Sequence, residues 1–450
     1  MLNLLLVWAA LFVVLIVFAI GRRGRSGALT LAYFLGLSLI HVPGVLPFIG
    51  SEPFLADRTV TRIGFETTLL GMAAFVAGAI VARRNLGFAR RSAANARRRG
   101  RVFEHLGWRT FAFGAIAYFL FLPLSRYLPS VTSFISAVAT LLIIGIWLAL
   151  YGAVEAGDNR RLLAILALLP LLPLATLVTG GFLGYGVYWI IGIVALLFTI
   201  TRRRAWFYLA APFVLYFGLS LAVTYLAQRA GIREVVWQER ASLLDRLDRA
   251  SRIVTDFEWL DLSSPAQDVA LDSRLNQNRL VGAAIEYHEA GFAHYAYGAT
   301  VPLWALIPRA VWPEKPAVGG GGEVVSEFTG VGFAPGTSIG AGQVLEFYVN
   351  FGIAGVLVGF LGLGYLLMRL DRGIMRALAA GDSRALLLRA MPGLTLLQPG
   401  GNLLEILVAF VAAFVAAHLV LELRFFELPP AIRARIERRF LPGSGAEQRR

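Results

Sequence analysis

The sequence predicts an all-helical, multi-span membrane protein with one large polar loop, and three observations lead there. Apolar residues make up 57% of the 450-residue chain and mean hydropathy is +0.68, whereas a soluble globular domain averages about 45–50% apolar. The excess is gathered into runs of roughly 17–25 residues with few charges, the length that crosses a hydrocarbon core. Basic residues then alternate from one side of these runs to the other.

Eleven spans are expected, at 2–20, 27–49, 63–82, 110–128, 131–154, 162–180, 183–200, 205–227, 344–368, 385–398 and 402–423. The first has no basic segment ahead of it; Arg22, Arg23 and Arg25 follow it. A cleaved signal peptide has the reverse order, so this run reads as a retained span with its N-terminus outside. The tenth is short, contains Pro392 and ends at Gln398-Pro399-Gly400-Gly401. It also fits a re-entrant segment, because irregular backbone at membrane depth survives where protein or water satisfies it. Four regions follow: spans one to eight (1–227), an outer loop (228–343), spans nine to eleven (344–423) and a basic tail (424–450).

Charge supports this topology. Of the 42 basic residues, 28 fall in the segments assigned to the cytoplasm, and 3 in the short segments assigned outside. Long loops escape the positive-inside rule, so the ten in 228–343 carry no weight. The net charge of +14 is therefore an orientation signal that also suits anionic lipid headgroups. No nucleic-acid-reading motif accompanies it, and nucleic acid is not an expected partner. Lys315 is the single lysine, and there is no cysteine, which removes disulfides, thiolate metal sites and cysteine nucleophiles. Gly319–Gly322 lacks a P-loop ending, and neither HExxH nor Gly-x-Ser-x-Gly occurs. No cofactor or metal is expected. Eight spans before the loop and three after it argue against the inverted repeats of many transporters.

Within the loop, Leu243, Leu247, Ala250, Val254 and Phe257 make one helical face. Ser263-Ser264-Pro265 opens a second helix expected to run to about Ala290. Residues 299–312 are apolar, Trp-bearing and too short to span, which suits an interfacial position. The Gly-rich stretch 318–342 is expected to be mobile.

Three groups could carry chemistry. Ile307-Pro308-Arg309-Ala310-Val311-Trp312-Pro313-Glu314-Lys315-Pro316 joins two cations, an indole and three prolines; Arg grips phosphate oxygens in bidentate fashion and Lys acts as a point charge. It reads either as a stiff anion-binding edge or as an interfacial anchor with a snorkelling Arg309. Gly342-Gln343-Val344-Leu345-Glu346-Phe347-Tyr348-Val349-Asn350-Phe351-Gly352 places Glu346 and Asn350 on one face of a span entry, where they serve either function or helix capping. The second loop helix carries Arg274, Arg279, Glu286, His288 and Glu289, either a general-base group or a solvated face. Glu66, Glu405 and the deeper His41 could join Glu346 around an outward cavity.

The spans, the late outer loop, the IPRxxWPxKP segment and the following G-Q-x-x-E-F-Y-x-N-F-G-x-x-G together resemble the O-antigen polymerase, or oligosaccharide repeat-unit polymerase, family. The resemblance is architectural over most of the chain and residue-specific over about 300–355. It implies a multi-span glycosyltransferase fold of the GT-C type at the periplasmic face of a bacterial inner membrane. The implied reaction moves a growing glycan from undecaprenyl diphosphate onto a lipid-linked oligosaccharide repeat unit, without metal. The implied partners are those lipid-linked glycans and membrane lipids, with a chain-length regulator and a flippase. Arg309 and Lys315 match the cationic part of the motif, and Glu346 and Asn350 the part after it. Position in the loop, rather than a motif, brings in Arg274 and Arg279 for binding and His288 and Glu289 for catalysis; Glu346 and His288 are the leading candidates for the base, and Asn350, Trp312 and Tyr348 complete the expected binding set. A ligase that transfers finished glycan, or a non-enzymatic flippase or exporter, is the alternative.

Overall fold

The computed structural model describes residues 1–20, 27–49, 58–84, 96–127, 131–201, 205–237, 242–292, 307, 311–312, 314, 322–333 and 339–422. All regular structure among these residues is helical. Eight helices are long and apolar enough to cross a membrane: Arg58–Arg83, Gly100–Leu124, Thr132–Ala156, Asn159–Gly180, Leu183–Ile200, Ala205–Val236, Gln343–Ala380 and Leu403–Glu422. This is the architecture of a multi-pass membrane protein, and each of the eight coincides with an expected span. Leu2–Phe18 and Ala28–His41 are apolar but shorter. The expected tenth span is a 13-residue helix, Ser383–Thr395, with Pro392 inside it, followed by the non-helical segment 396–402.

Two compact units share the chain. The first comprises Met1–Leu86, Leu169–Asp371 and Leu396–Val408; the second comprises Gly87–Leu168, Arg372–Thr395 and Ala409–Arg450.

In the first unit, Ala28–His41 starts at Gly27, whose φ of 117° needs a glycine. A helix start leaves backbone N–H groups without partners. Here the buried Asp371 carboxylate accepts from the N–H of Leu29 (2.8 Å), the N–H of Thr30 (2.9 Å) and the Thr30 hydroxyl (2.7 Å). Tyr33 and Phe34 pack on Phe75, and Tyr33 also meets Phe360. Glycines let the backbones approach there: a Cβ on Gly78 would lie 2.0 Å from the Leu361 carbonyl oxygen, and one on Gly364 2.0 Å from that of Phe75. Small residues at such crossings are the usual means of helix packing in lipid.

The expected ninth span is broken. Gly352 has φ 64° and ψ −159° inside Gln343–Ala380, so a short helix over 343–351 precedes the long one. The short helix folds against its successor, with the Phe347 ring 2.7 Å from where a Gly359 Cβ would stand and the Phe347 carbonyl oxygen 2.4 Å from that of Gly355.

The large loop is more helical than expected. Ala205–Trp237 continues ten residues beyond the expected end of its span, because Ile232 and Val236 bury against Ala250 and Ile253 of Leu243–Thr255. Ser242 and Asp245 form a reciprocal capping box at the start of that helix. The expected second loop helix is two, Pro265–Leu275 and Gln277–Glu289, divided at Asn276 (φ −122°, ψ 69°). Arg274 and His288, expected on one helix, thus stand on two. Within the stretch expected to be mobile, Gly322–Thr329 is a helix packed against Gln277–Glu289.

The second unit is built on Ala96–Ile116 and Leu141–Ala156. Gly100, Gly107 and Gly114 recur every seven residues and face Gly152, Gly145 and Leu142; a Cβ on Gly107 or Gly145 would lie 2.6 or 2.3 Å from facing backbone. Arg161 bonds Glu104 at 2.5 Å nearby.

Candidate functional site

In the first unit, the junction at Asn276 between two helices and the irregular segments 339–342 and 396–402 meet beside the short 343–351 helix. Asparagine bonds its neighbours' backbone readily and favours helix ends, and Asn276 ends one helix while Asn278 anchors the next. Asn276 Nδ2 donates to Thr61 Oγ1 (3.1 Å) and Asp272 Oδ1 (2.6 Å). Asn278 is fully buried. Its Nδ2 donates to the His41 carbonyl (2.7 Å), while its Oδ1 faces His41 Nδ1 (2.7 Å) and accepts from the Thr68 hydroxyl (3.2 Å). Gln277 Nε2 reaches the Gly340 carbonyl at 3.4 Å. Gly340 must be glycine, because a Cβ there would lie 2.0 Å from the Gly400 carbonyl oxygen.

The segment 396–402 closes the site. The Pro399 carbonyl accepts the Gln343 N–H (3.0 Å), Gln343 Oε1 accepts from the Tyr33 hydroxyl (2.5 Å), and Asn402 Oδ1 accepts the Ala341 N–H (3.1 Å). Glu346 is buried, and its Oε2 accepts the N–H of Leu403, the first residue of Leu403–Glu422. That is a helix-capping contact made across 57 residues of sequence. Asn350 is also buried, and its Nδ2 donates to the Glu346 carbonyl (2.7 Å). The capping reading of Glu346 thus has a geometry: it sits in the first turn of its own helix and caps a second.

Among the other expected residues, His288 and Tyr348 come together, their rings edge to face at 6.3 Å. His288 is half-buried, Tyr348 is buried, and Glu289 and Glu286 are exposed. Arg279 pairs with the buried Asp272 at 3.3 Å. Trp312 is 40% exposed; Arg309 and Lys315 lie outside the described residues. Among the further ionisable groups, Glu66 pairs with Arg62 (2.8 Å), and Glu405 accepts from Asn402 (3.2 Å). They and His41 serve separate partners.

One group escaped the sequence reading. Arg229 and Arg233 lie one turn apart near the end of Ala205–Trp237, both beside the Tyr225 phenol and both within electrostatic reach of Arg274. The Arg233 guanidinium sits 4.5 Å over the Phe182 ring, a cation–π seat. The Tyr225 hydroxyl donates to Gly181 (3.1 Å), the turn between Leu171–Gly180 and Leu183–Ile200, which fixes this cationic group level with that inter-span turn. The signal was present as two arginines at i,i+4 just past an apolar run. Like charges so close repel. Among the described residues, no three His, Asp or Glu side chains gather as metal ligands.

No family model, curated protein or solved structure matches this chain.

Proposed function

We propose that this chain is a glycan polymerase that transfers a growing glycan from undecaprenyl diphosphate onto a lipid-linked repeat unit. The observation that carries the reading is the Arg229–Arg233–Arg274 group, three guanidiniums from two helices within electrostatic reach of one another, the first two beside Tyr225, whose hydroxyl meets the Gly181 turn. A lipid-linked donor keeps its tail in the bilayer and its diphosphate at the interface, so its leaving group departs where these cations stand. The family resemblance adds Arg309 and Lys315 to the same task, along with the GT-C architecture and eleven spans. The arginine asymmetry of the loops supports an inner-membrane position with the N-terminus and the large loop outside and the C-terminus in the cytoplasm.

In this mechanism His288 takes the proton of the acceptor hydroxyl as that oxygen bonds to the anomeric carbon of the donor. The bond from the anomeric carbon to phosphate oxygen breaks, and the diphosphate departs with the electron pair onto the arginines. His288 suits the role because it is half-buried and oriented by the Tyr348 ring, within general-base chemistry. Glu346, committed to the Leu403 N–H, holds the short helix in place.

The test is extension of a synthetic polyprenyl-diphosphate repeat unit by protein in lipid, without nucleotide sugar and with EDTA. A ladder of longer products that collapses in Arg229→Ala/Arg233→Ala supports the reading. Transfer of finished glycan to another acceptor makes the protein a ligase. A change of leaflet with no new bond makes it an exporter.

A further inference from the structure

We propose that residues 256–275 form a re-entrant hairpin that enters the membrane along Ala205–Trp237, and that its acidic tip stands in a water-filled recess at membrane depth. The inference is independent of the catalytic reading.

Depth is set by neighbouring helices. Tyr225 is level with the Gly181 turn, and Phe207 and Tyr208 are level with Phe198 at the other end of the same span. Leu183–Ile200 has 18 residues and so rises about 27 Å at 1.5 Å per residue, close to the hydrocarbon thickness. From Gly181 the hairpin runs inward. The Glu258 N–H donates to Thr224 Oγ1 (3.1 Å), the Leu260 N–H to Ser220 Oγ (2.9 Å), and the Leu260 carbonyl accepts from the Tyr216 hydroxyl (3.1 Å). Tyr216 lies nine residues before Tyr225, about 13 Å deeper by the same rise. Pro265–Leu275 then returns outward, with Leu271 packed on Leu219 and Val223.

Such a path has two physical requirements. Backbone at membrane depth must be satisfied by protein, and the hydroxyl ladder Tyr216, Ser220, Thr224, spaced every four residues, supplies that. Carboxylates at that depth must meet water or a partner. Glu258 and Asp261 are exposed, and buried Asp268 Oδ1 has no protein partner, the mark of an internal water. The neighbouring surface is aromatic: Trp259 stacks on Tyr216 (5.4 Å, 7°) and meets Phe257 at 5.0 Å. Exposed Phe213, Val214 and Leu209 continue it as a face suited to lipid. The hairpin thus separates an apolar face from a polar recess.

The natural absence of cysteine makes labelling direct. Oxidation of Thr224→Cys/Glu258→Cys in membranes should give an internal cross-link; failure to form it overturns the seat. In nanodiscs, a nitroxide on Val214→Cys should collide with oxygen and be shielded from a water-soluble nickel chelate, while one on Asp261→Cys at the same level should prefer the chelate several-fold. Chelate access at both sites would put the hairpin outside the bilayer. Oxygen preference at both would make the tip dry. Either result overturns the proposal.

Discussion

Replacing Asn278 should loosen the attachment of the large loop to the spans beneath it. Its amide donates to the His41 carbonyl at 2.7 Å and faces His41 Nδ1 at 2.7 Å, with no solvent exposure. Because the Nδ2 group faces the carbonyl, Oδ1 faces the ring and Nδ1 carries the proton. Asn278→Ala takes the side-chain donor from that carbonyl and leaves the Nδ1–H the longer contact with Thr68 Oγ1 (3.3 Å), whose own proton goes to the Gly64 carbonyl (2.9 Å). One buried group left unsatisfied and a second weakened cost about 3 kcal/mol in all. For a unit of this size that is a fall of about 6 °C in melting temperature, at about 2 °C per kcal/mol, read by loss of the monodisperse peak on heating in detergent. The cycle with His41→Ala sharpens the test, since removing both partners should cost less than the sum of the single changes. A melting temperature unchanged in Asn278→Ala, or strict additivity in the double variant, refutes this account of the loop's attachment.

Other consequences can be checked the same way. Gly145→Val should destabilise the second unit by about 3 kcal/mol or more through overpacking, because even a Cβ would stand 2.3 Å from the Phe111 nitrogen; detergent melting reads it. Glu346→Gln, which keeps an acceptor for the Leu403 N–H, should retain the melting temperature and any glycan extension, whereas Glu346→Ala should lose both; loss of extension in the Gln variant with unchanged melting would make Glu346 the base. The Ser242 hydroxyl and N–H hold the Asp245 carboxyl below its ordinary value. Its capping contribution is therefore present above the unfolded carboxylate value and lost as pH falls through the lower folded one. Hydrogen exchange over 243–248 should accelerate in that acid window in the native chain and not in Asp245→Asn.

Eight of the eleven expected spans were legible, because long apolar runs admit few other structures. What escaped depended on meetings between distant segments. Nothing local to Arg229 and Arg233 announces Arg274, some forty residues on. The break at Asn276 was available, since asparagine favours helix ends over interiors, but Ser263-Ser264-Pro265 announced a start alone, and one helix was expected to about Ala290. Gly352 was harder, because glycine is frequent in spans; only with Gly355 and Gly359 beneath Phe347 does the fold-back have a reason. The Gly100, Gly107, Gly114 register was visible as a heptad, though its facing partners were not.

The seat of Asp371 has a consequence in time. The amides of Leu29 and Thr30 that it closes lie 342 and 341 residues earlier in the chain. At a synthesis rate of about 5–20 residues per second, they wait roughly 15–70 s for their acceptor. Through that interval the second helix sits in the bilayer with its leading turn open, held by water, lipid headgroups or an insertion factor. Biogenesis of the first unit is therefore a late event: its second helix is finished by one of its last. A nascent chain released before Asp371 emerges should leave a membrane-inserted intermediate, open at Leu29 and Thr30, for quality-control proteases to recognise.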